Sequence, residues 1–143
     1  MATITSANSV FTLMLTDLFP VPQVLQGYAT DDAFASEAVD SAEVMMGVDG
    51  KMSAGFTPFP TPMTIALQAD SPSLSLFEAW LGSMKVAKEV FFADGTIVLP
   101  AINRSYVLTR GVLNKSAQYP GAKKVLQPVQ FTITWESINP AVL

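Results

Sequence analysis

A chain of 143 residues, 50% apolar and only 14% charged, is long enough for one domain with a sizeable core. Its charge content falls well below the roughly 25% of an ordinary soluble domain, so some apolar surface is expected to be buried between chains. Without cysteine or histidine it cannot carry a disulfide framework, a thiolate metal site, a Ser-His-Asp triad or the usual general base near neutral pH, and its net charge of −4 argues against a basic nucleic-acid-binding face.

Residues 1–8 are small and polar and read as an extended arm. The start of the chain lacks the basic region and cleavage site of a signal peptide, and no run of about 18 apolar residues is present to span a bilayer. A cytoplasmically made soluble protein without membrane insertion is expected. VFTLML at residues 10–15 has the β-branched and aromatic content of a strand. DLFPVP at residues 17–22 breaks it through two prolines, and residues 23–28 form a short second strand. ATDDAFAS at residues 29–36 has loop composition. There Phe34, close to Asp31 and Asp32, is either a docking knob or an anchor tucked into its own domain.

A β-hairpin is predicted over about residues 37–57, turning on Asp49-Gly50, where a tight type I′ turn needs positive φ at both central residues. Val44, Met45, Met46, Val48, Met52, Ala54 and Phe56 give it apolar groups on both faces. That pattern predicts cover from its own core on one side and from another subunit on the other. Pro58, Pro60 and Pro62 then force an extended link, and residues 63–69 form a further strand.

A helix is predicted over about residues 72–88. Asp70 is a cap candidate and Pro72 a first-turn residue. Leu74, Phe77, Leu81 and Met84 recur at helical spacing, with Trp80 and Ala87 on the adjoining line, and this stripe should bury against the sheet. Glu78, Lys85, Lys88 and Glu89 lie nearer solvent. After the helix, residues 90–93 read as a short strand, Asp94-Gly95 as a turn and residues 96–99 as a strand. Residues 100–104 read as a turn, and residues 106–113 as a longer strand bulged at Gly111. Residues 114–124 form a basic loop. In residues 129–135, Val129, Phe131, Ile133 and Trp135 alternate with Gln130, Thr132 and Thr134 as in a half-buried strand. One helix cannot supply the crossovers of a parallel sheet, so the expected fold is mainly β, an antiparallel barrel or sandwich with one flanking helix.

Charge is uneven along the chain. Residues 1–70 sum to −7 and residues 71–143 to +3. Either the halves neutralise each other within one fold, or an acidic face of one subunit meets a basic face of the next, which would set register and orientation. No catalytic constellation emerges. Ser83 and Lys85 stand two apart on a helix and point to different faces. Asp31 and Asp32 read as a solvated loop pair, VDGK is a turn, and no phosphate-binding glycine motif or carboxylate calcium loop occurs. No enzyme activity, cofactor or metal is expected. Acidic walls would suit a passage through which nucleic acid moves without sticking.

Four blocks carry a family resemblance: YATDDAFASEAVDSAEVMMGVDGKMSAGFTP (residues 28–58), LQADSPS with the helix that follows (from residue 67), EVFFADGTIVLP (residues 89–100) and KKVLQPVQFTITWESINP (residues 123–140). Together they span most of the chain and resemble bacteriophage tail tube proteins of the contractile-tailed type. The resemblance implies a small β-barrel or sandwich flanked by a helix, and six copies in a ring whose strands join around a channel. Rings would stack head to tail inside a sheath. Viral DNA, and tape-measure protein, would pass through the lumen without sequence-specific binding. The implied partners are the chain itself, the tail sheath protein, and baseplate and terminator proteins at the tube ends. The implied location is the virion tail, after synthesis in the host bacterial cytoplasm.

On this footing the subunit interface is expected to include Asp31, Asp32, Phe34, Met45, Met46, Asp49, Lys51 and Met52, with Lys115, Lys123 and Lys124 as their basic complement. Thr132 and Thr134, or Asp40 and Glu43, are lumen candidates by alternation alone. The alternatives are another tail component of related fold, such as a terminator or baseplate-proximal tube protein, and a monomeric barrel that binds a small apolar ligand in a pocket of Met and Phe side chains.

Overall fold

The alternating pattern of residues 129–135 forms the spine of the molecule, a computed structural model that describes residues 9–15, 19–25 and 34–142. The elements are β1 (Val10–Leu15), β2 (Phe19–Val24), β3 (Phe34–Ser36), β4 (Ala42–Met46), β5 (Met52–Phe56), β6 (Thr61–Leu67), α1 (Leu74–Ala87), β7 (Ala93–Leu99), β8 (Arg104–Ser116) and β9 (Val129–Val142). A 3-10 turn at Pro100–Ile102 joins β7 to β8. Seven strands form one sheet in the order β2-β1-β7-β8-β9-β6-β3, and β4 and β5 form a separate two-stranded sheet. Every pairing is antiparallel. The mainly-β, antiparallel, one-helix expectation holds. The large sheet is open among the described residues, with β2 and β3 as its edges, where a closed barrel or sandwich was expected.

One face of this sheet carries the core. Phe11, Leu13 and Leu15 of β1, Met63, Ile65 and Leu67 of β6, and Val129, Phe131, Ile133 and Trp135 of β9 are buried, as the period of two requires. Helix α1 closes that face. Its buried residues are Leu76, Phe77 and Trp80, with Leu74, Leu81 and Met84 packed at the margin. Phe77 stacks on Phe131 with ring centroids 4.4 Å apart, and the Trp80 indole N–H donates to the Phe91 carbonyl at 3.1 Å. The predicted stripe is therefore rotated slightly: Leu76 joins it and Ala87 is exposed. The helix starts at Leu74, two residues later than expected, with the Ser71 hydroxyl accepting the Ser73 N–H at 3.2 Å. It ends on Lys88, which is in the left-handed conformation (φ 55°) and donates its N–H to the Met84 carbonyl.

Several local expectations are overturned. Residues 17–22 were expected to break the strand pattern, yet Pro20 and Pro22 lie within β2. β2 is an edge strand, where a missing donor can face away from the ladder. Residues 29–36 were expected as loop, but Phe34–Ser36 pair with Met63–Ile65 at the opposite edge. Residues 90–92 are irregular, and Asp94-Gly95 lies inside β7 instead of forming a turn. A Cβ on Gly95 would sit 3.0 Å from the Thr12 carbonyl oxygen and 3.2 Å from the Trp135 ring, so this glycine serves a close approach. The bulge falls one position before Gly111. Ala93 pairs with Gly111 but Gly95 pairs with Leu108, which leaves an extra residue on β8 where Arg110 adopts a φ of 48°. The Arg110 N–H donates to an Asp94 carboxylate oxygen at 3.2 Å. Its guanidinium lies 4.2 Å from the Phe92 ring centroid and 3.6 Å from the Glu136 carboxylate. The expected arm over residues 1–8 lies outside the described residues.

Candidate functional site

Sequence and register together build an unusual surface on the hairpin. Ala42 lies opposite Phe56, Val44 opposite Ala54, and Met46 opposite Met52. Residues directly opposite share a face of an antiparallel pair, so these six residues make one wholly apolar face. The other face carries Glu43, Met45, Ser53 and Gly55. All ten arm residues are exposed, with Val44 at 61%, Met46 at 66%, Met52 at 62% and Phe56 at 76%. Two expectations change here. The apolar groups gather mainly on one face, and the domain's own core does not cover the hairpin.

The turn differs too. Gly47 donates its N–H to the Lys51 carbonyl and Gly50 donates to the Gly47 carbonyl, leaving a three-residue loop. Gly50 alone has positive φ there, at 84°. This is the three-residue hairpin in which a turn is followed by a left-handed glycine. The Asp49 carboxylate accepts the Lys51 N–H at 3.1 Å, which gives Asp49 a turn-forming role.

A second feature was invisible in the sequence. β9 pairs with β6 only as far as Trp135 opposite Thr61, while its pairing with β8 continues to Val142 opposite Arg104. The Gln130 carbonyl accepts from Ala117, on the β8 side, and the Pro62 carbonyl accepts from Glu37, on the β3 side. Backbone groups alternate along a strand, and the bulge at Arg110 resets the phase: Thr109, Val107 and Ser105 of β8 face Ser137, Asn139 and Ala141. Beyond the bulge, therefore, the N–H and C=O of Ile138 and the C=O of Pro140 point to the side that β6 has left. No strand of the described chain pairs with them. Pro140 stands on this free edge and, having no N–H, leaves it one donor short. Phe56, Phe59 and Ile138 line a groove of roughly 750 Å³ between the hairpin base and the edge.

The basic residues lie elsewhere. Lys115 is near the end of β8, and Lys123 and Lys124 sit in the loop before β9, which the Ala122–Leu126 bridge pins. All three lysines are exposed and make no ion pair among the described residues. The same loop exposes Tyr119, Val125 and Leu126, apolar knobs that its basic composition concealed. The hairpin leaves the sheet at the start of β6 and this loop lies by its end, about 20 Å away along a seven-residue strand. The structure brings Met46 and Met52 together and keeps the lysines apart from them. Asp31 and Asp32 lie outside the described residues, and Phe34 opens β3. Among the described residues no cluster of metal-ligating side chains occurs, and no helix is long and apolar enough to cross a membrane.

This architecture has counterparts among solved structures. The chain is similar to a chain of the anti-feeding prophage baseplate, with 11% identity, 99% of this chain and 98% of that chain covered, and a TM-score of 0.59. It is also similar to a chain of the sheath-tube complex of the extracellular contractile injection system PVC in its extended state (11% identity, 93% and 88% covered, TM-score 0.62). A third likeness is to a chain of the anti-feeding prophage tube-terminating cap (10% identity, 100% and 93% covered, TM-score 0.63). No curated protein matches the sequence. The fold is that of components of contractile tail-like particles, and the protein is a structural component of a phage-like tail. More narrowly, the chain belongs to the tail fiber protein gp32 family, whose model matches residues 2–139.

Proposed function

We propose that this chain is the subunit of an inner tail tube, assembling without catalysis into six-membered rings that stack head to tail around a channel for viral DNA. The observation that carries the reading is the hairpin's apolar face, six residues from two strands, all of them exposed. A two-stranded ribbon is marginal in water by itself, and burying each of its large side chains contributes roughly 1.5–3 kcal/mol. A neighbour that covers this face and pairs with the free edge of β9 answers both needs, and it removes an exposed strand edge. Hairpin and lysine loop lie at opposite ends of one strand, which suits a head-to-tail contact that closes into rings and extends by stacking.

The similar chains come from a sheath-tube complex, a baseplate and a tube cap. They support a sheath around the tube and baseplate and terminator proteins at its ends as partners, with the virion tail as the location. The family description, tail fiber protein, favours a second reading in which the subunits pack into a solid fibre. Negative-stain microscopy of the purified protein, with mass measured at several concentrations, separates them. Hollow tubes of stacked rings are the expected result. Filaments with no lumen support the fibre, and a monomer at every concentration removes both.

The interface is proposed to join Met45, Met46, Met52, Asp49 and Lys51, with Asp31, Asp32 and Phe34, to Lys115, Lys123 and Lys124 of the next copy. Reversing Lys123 and Lys124 to glutamate is then expected to lower tube yield, more strongly at low salt, where surface charges are less screened. Equal yield and length at all salt concentrations would remove the lysines from the contact.

A further inference from the structure

Three of the chain's seven methionines lie on the hairpin. Met45, Met46 and Met52 are exposed at 74%, 66% and 62%, whereas Met63 in the core is exposed at 1%. Met46 and Met52 lie directly opposite one another, next to the turn and on the apolar face. A sulfoxide at either position puts a polar, chiral S=O group where an apolar surface is needed.

We infer that Met46 and Met52 form an oxidation-sensitive site whose conversion to sulfoxide disables self-association of the subunit. The inference rests on the proposed hairpin interface. The oxidant is a peroxide. The thioether sulfur attacks one peroxide oxygen, an S–O bond forms as the O–O bond breaks, and the sulfur loses two electrons. The second oxygen leaves as water with both peroxide protons. A methionine sulfoxide reductase reverses the change at the expense of a dithiol. The lesion therefore falls on unassembled subunits, and docking shields them.

The test treats dilute subunits with limited hydrogen peroxide, maps oxidised methionines by peptide mass spectrometry, and then follows assembly by light scattering and microscopy. Met45, Met46 and Met52 are expected to oxidise at least about tenfold faster than Met63. Assembly should fall in step with sulfoxide at residues 46 and 52, and return after reductase treatment. A Met46→Leu/Met52→Leu variant should assemble and keep assembling after the same dose, although its Met45 is oxidised. Subunits fully oxidised at residues 46 and 52 that assemble at the untreated rate overturn this inference and leave the tube reading intact. Untreated subunits that never assemble overturn both. Equal oxidation of Met63 and the hairpin methionines removes the claim of a selective site.

Discussion

Replacing Val44 and Met46 by glutamate is expected to abolish the proposed tube assembly while leaving the subunit folded. Both side chains are more than half exposed, so the substitutions open no cavity, and surface changes of this kind usually move stability by no more than about 0.5 kcal/mol. In the assembled state the same positions lose roughly 1.5–3 kcal/mol each of apolar burial, and two carboxylates would have to be desolvated as well. A loss of about 3 kcal/mol per subunit already raises the concentration needed for assembly more than a hundredfold. Sedimentation should show only free subunits at concentrations where the proposal has the parent protein assemble, with thermal unfolding unchanged. Tubes at the parent concentration would mean that the apolar face points away from every neighbour.

Gly111→Ala is expected to be the most damaging small substitution in the sheet. A Cβ there would stand 2.6 Å from two atoms of the Trp135 ring and 2.9 Å from Ile133. Trp135 is fully buried, and the Gly95 position presses on its ring from a second strand. The ring has no room to retreat, and overpacking of this kind typically costs 1–3 kcal/mol. Urea unfolding of dilute, unassembled subunits measures it. Trp135→Phe alone should also destabilise, by leaving a cavity. Combined with Gly111→Ala, the smaller ring makes space for the new methyl, so the double variant should lose less than the two single losses together. Strict additivity would mean that the crowding is relieved elsewhere, by movement of β8.

The sequence was readable wherever burial decided the pattern. Strand β1 begins and ends where VFTLML does, and the alternation of Val129 to Trp135 survives unchanged in β9. The helix stripe was rotated by one position because Leu74 and Leu76 flank the first turn and spacing alone does not choose between them. Asp-Gly occurs at both residues 49–50 and residues 94–95, and the dipeptide reads the same in each place. At residue 50 glycine supplies positive φ. At residue 95 it admits the Thr12 carbonyl and the Trp135 ring, a tertiary reason with no local signature. Prolines at residues 20 and 22 misled because the rule against them binds in central strands, not edges.

The hairpin shows how one local error propagates. A two-residue turn at Asp49-Gly50 would set Met46 opposite Ser53 and Val44 opposite Gly55, scattering apolar groups over both faces. The three-residue loop shifts the pairing by one, and a one-residue slip moves side chains to the other face. Positions 42, 44, 46, 52, 54 and 56 then fall together. The free edge of β9 beyond Trp135 had no such signal, because it exists only where the pairing with β6 stops sooner than the pairing with β8.

Standing off the sheet, the ribbon of β4 and β5 must open and close many times in a lone subunit, since local stability follows buried contact. Its amide protons should exchange with solvent far faster than those of β8 and β9. Docking would then be the last step of folding, completed on a template that a growing end provides. Two free subunits would each have to order their ribbons at once, an entropic handicap that disfavours spontaneous nucleation and favours elongation from an existing platform.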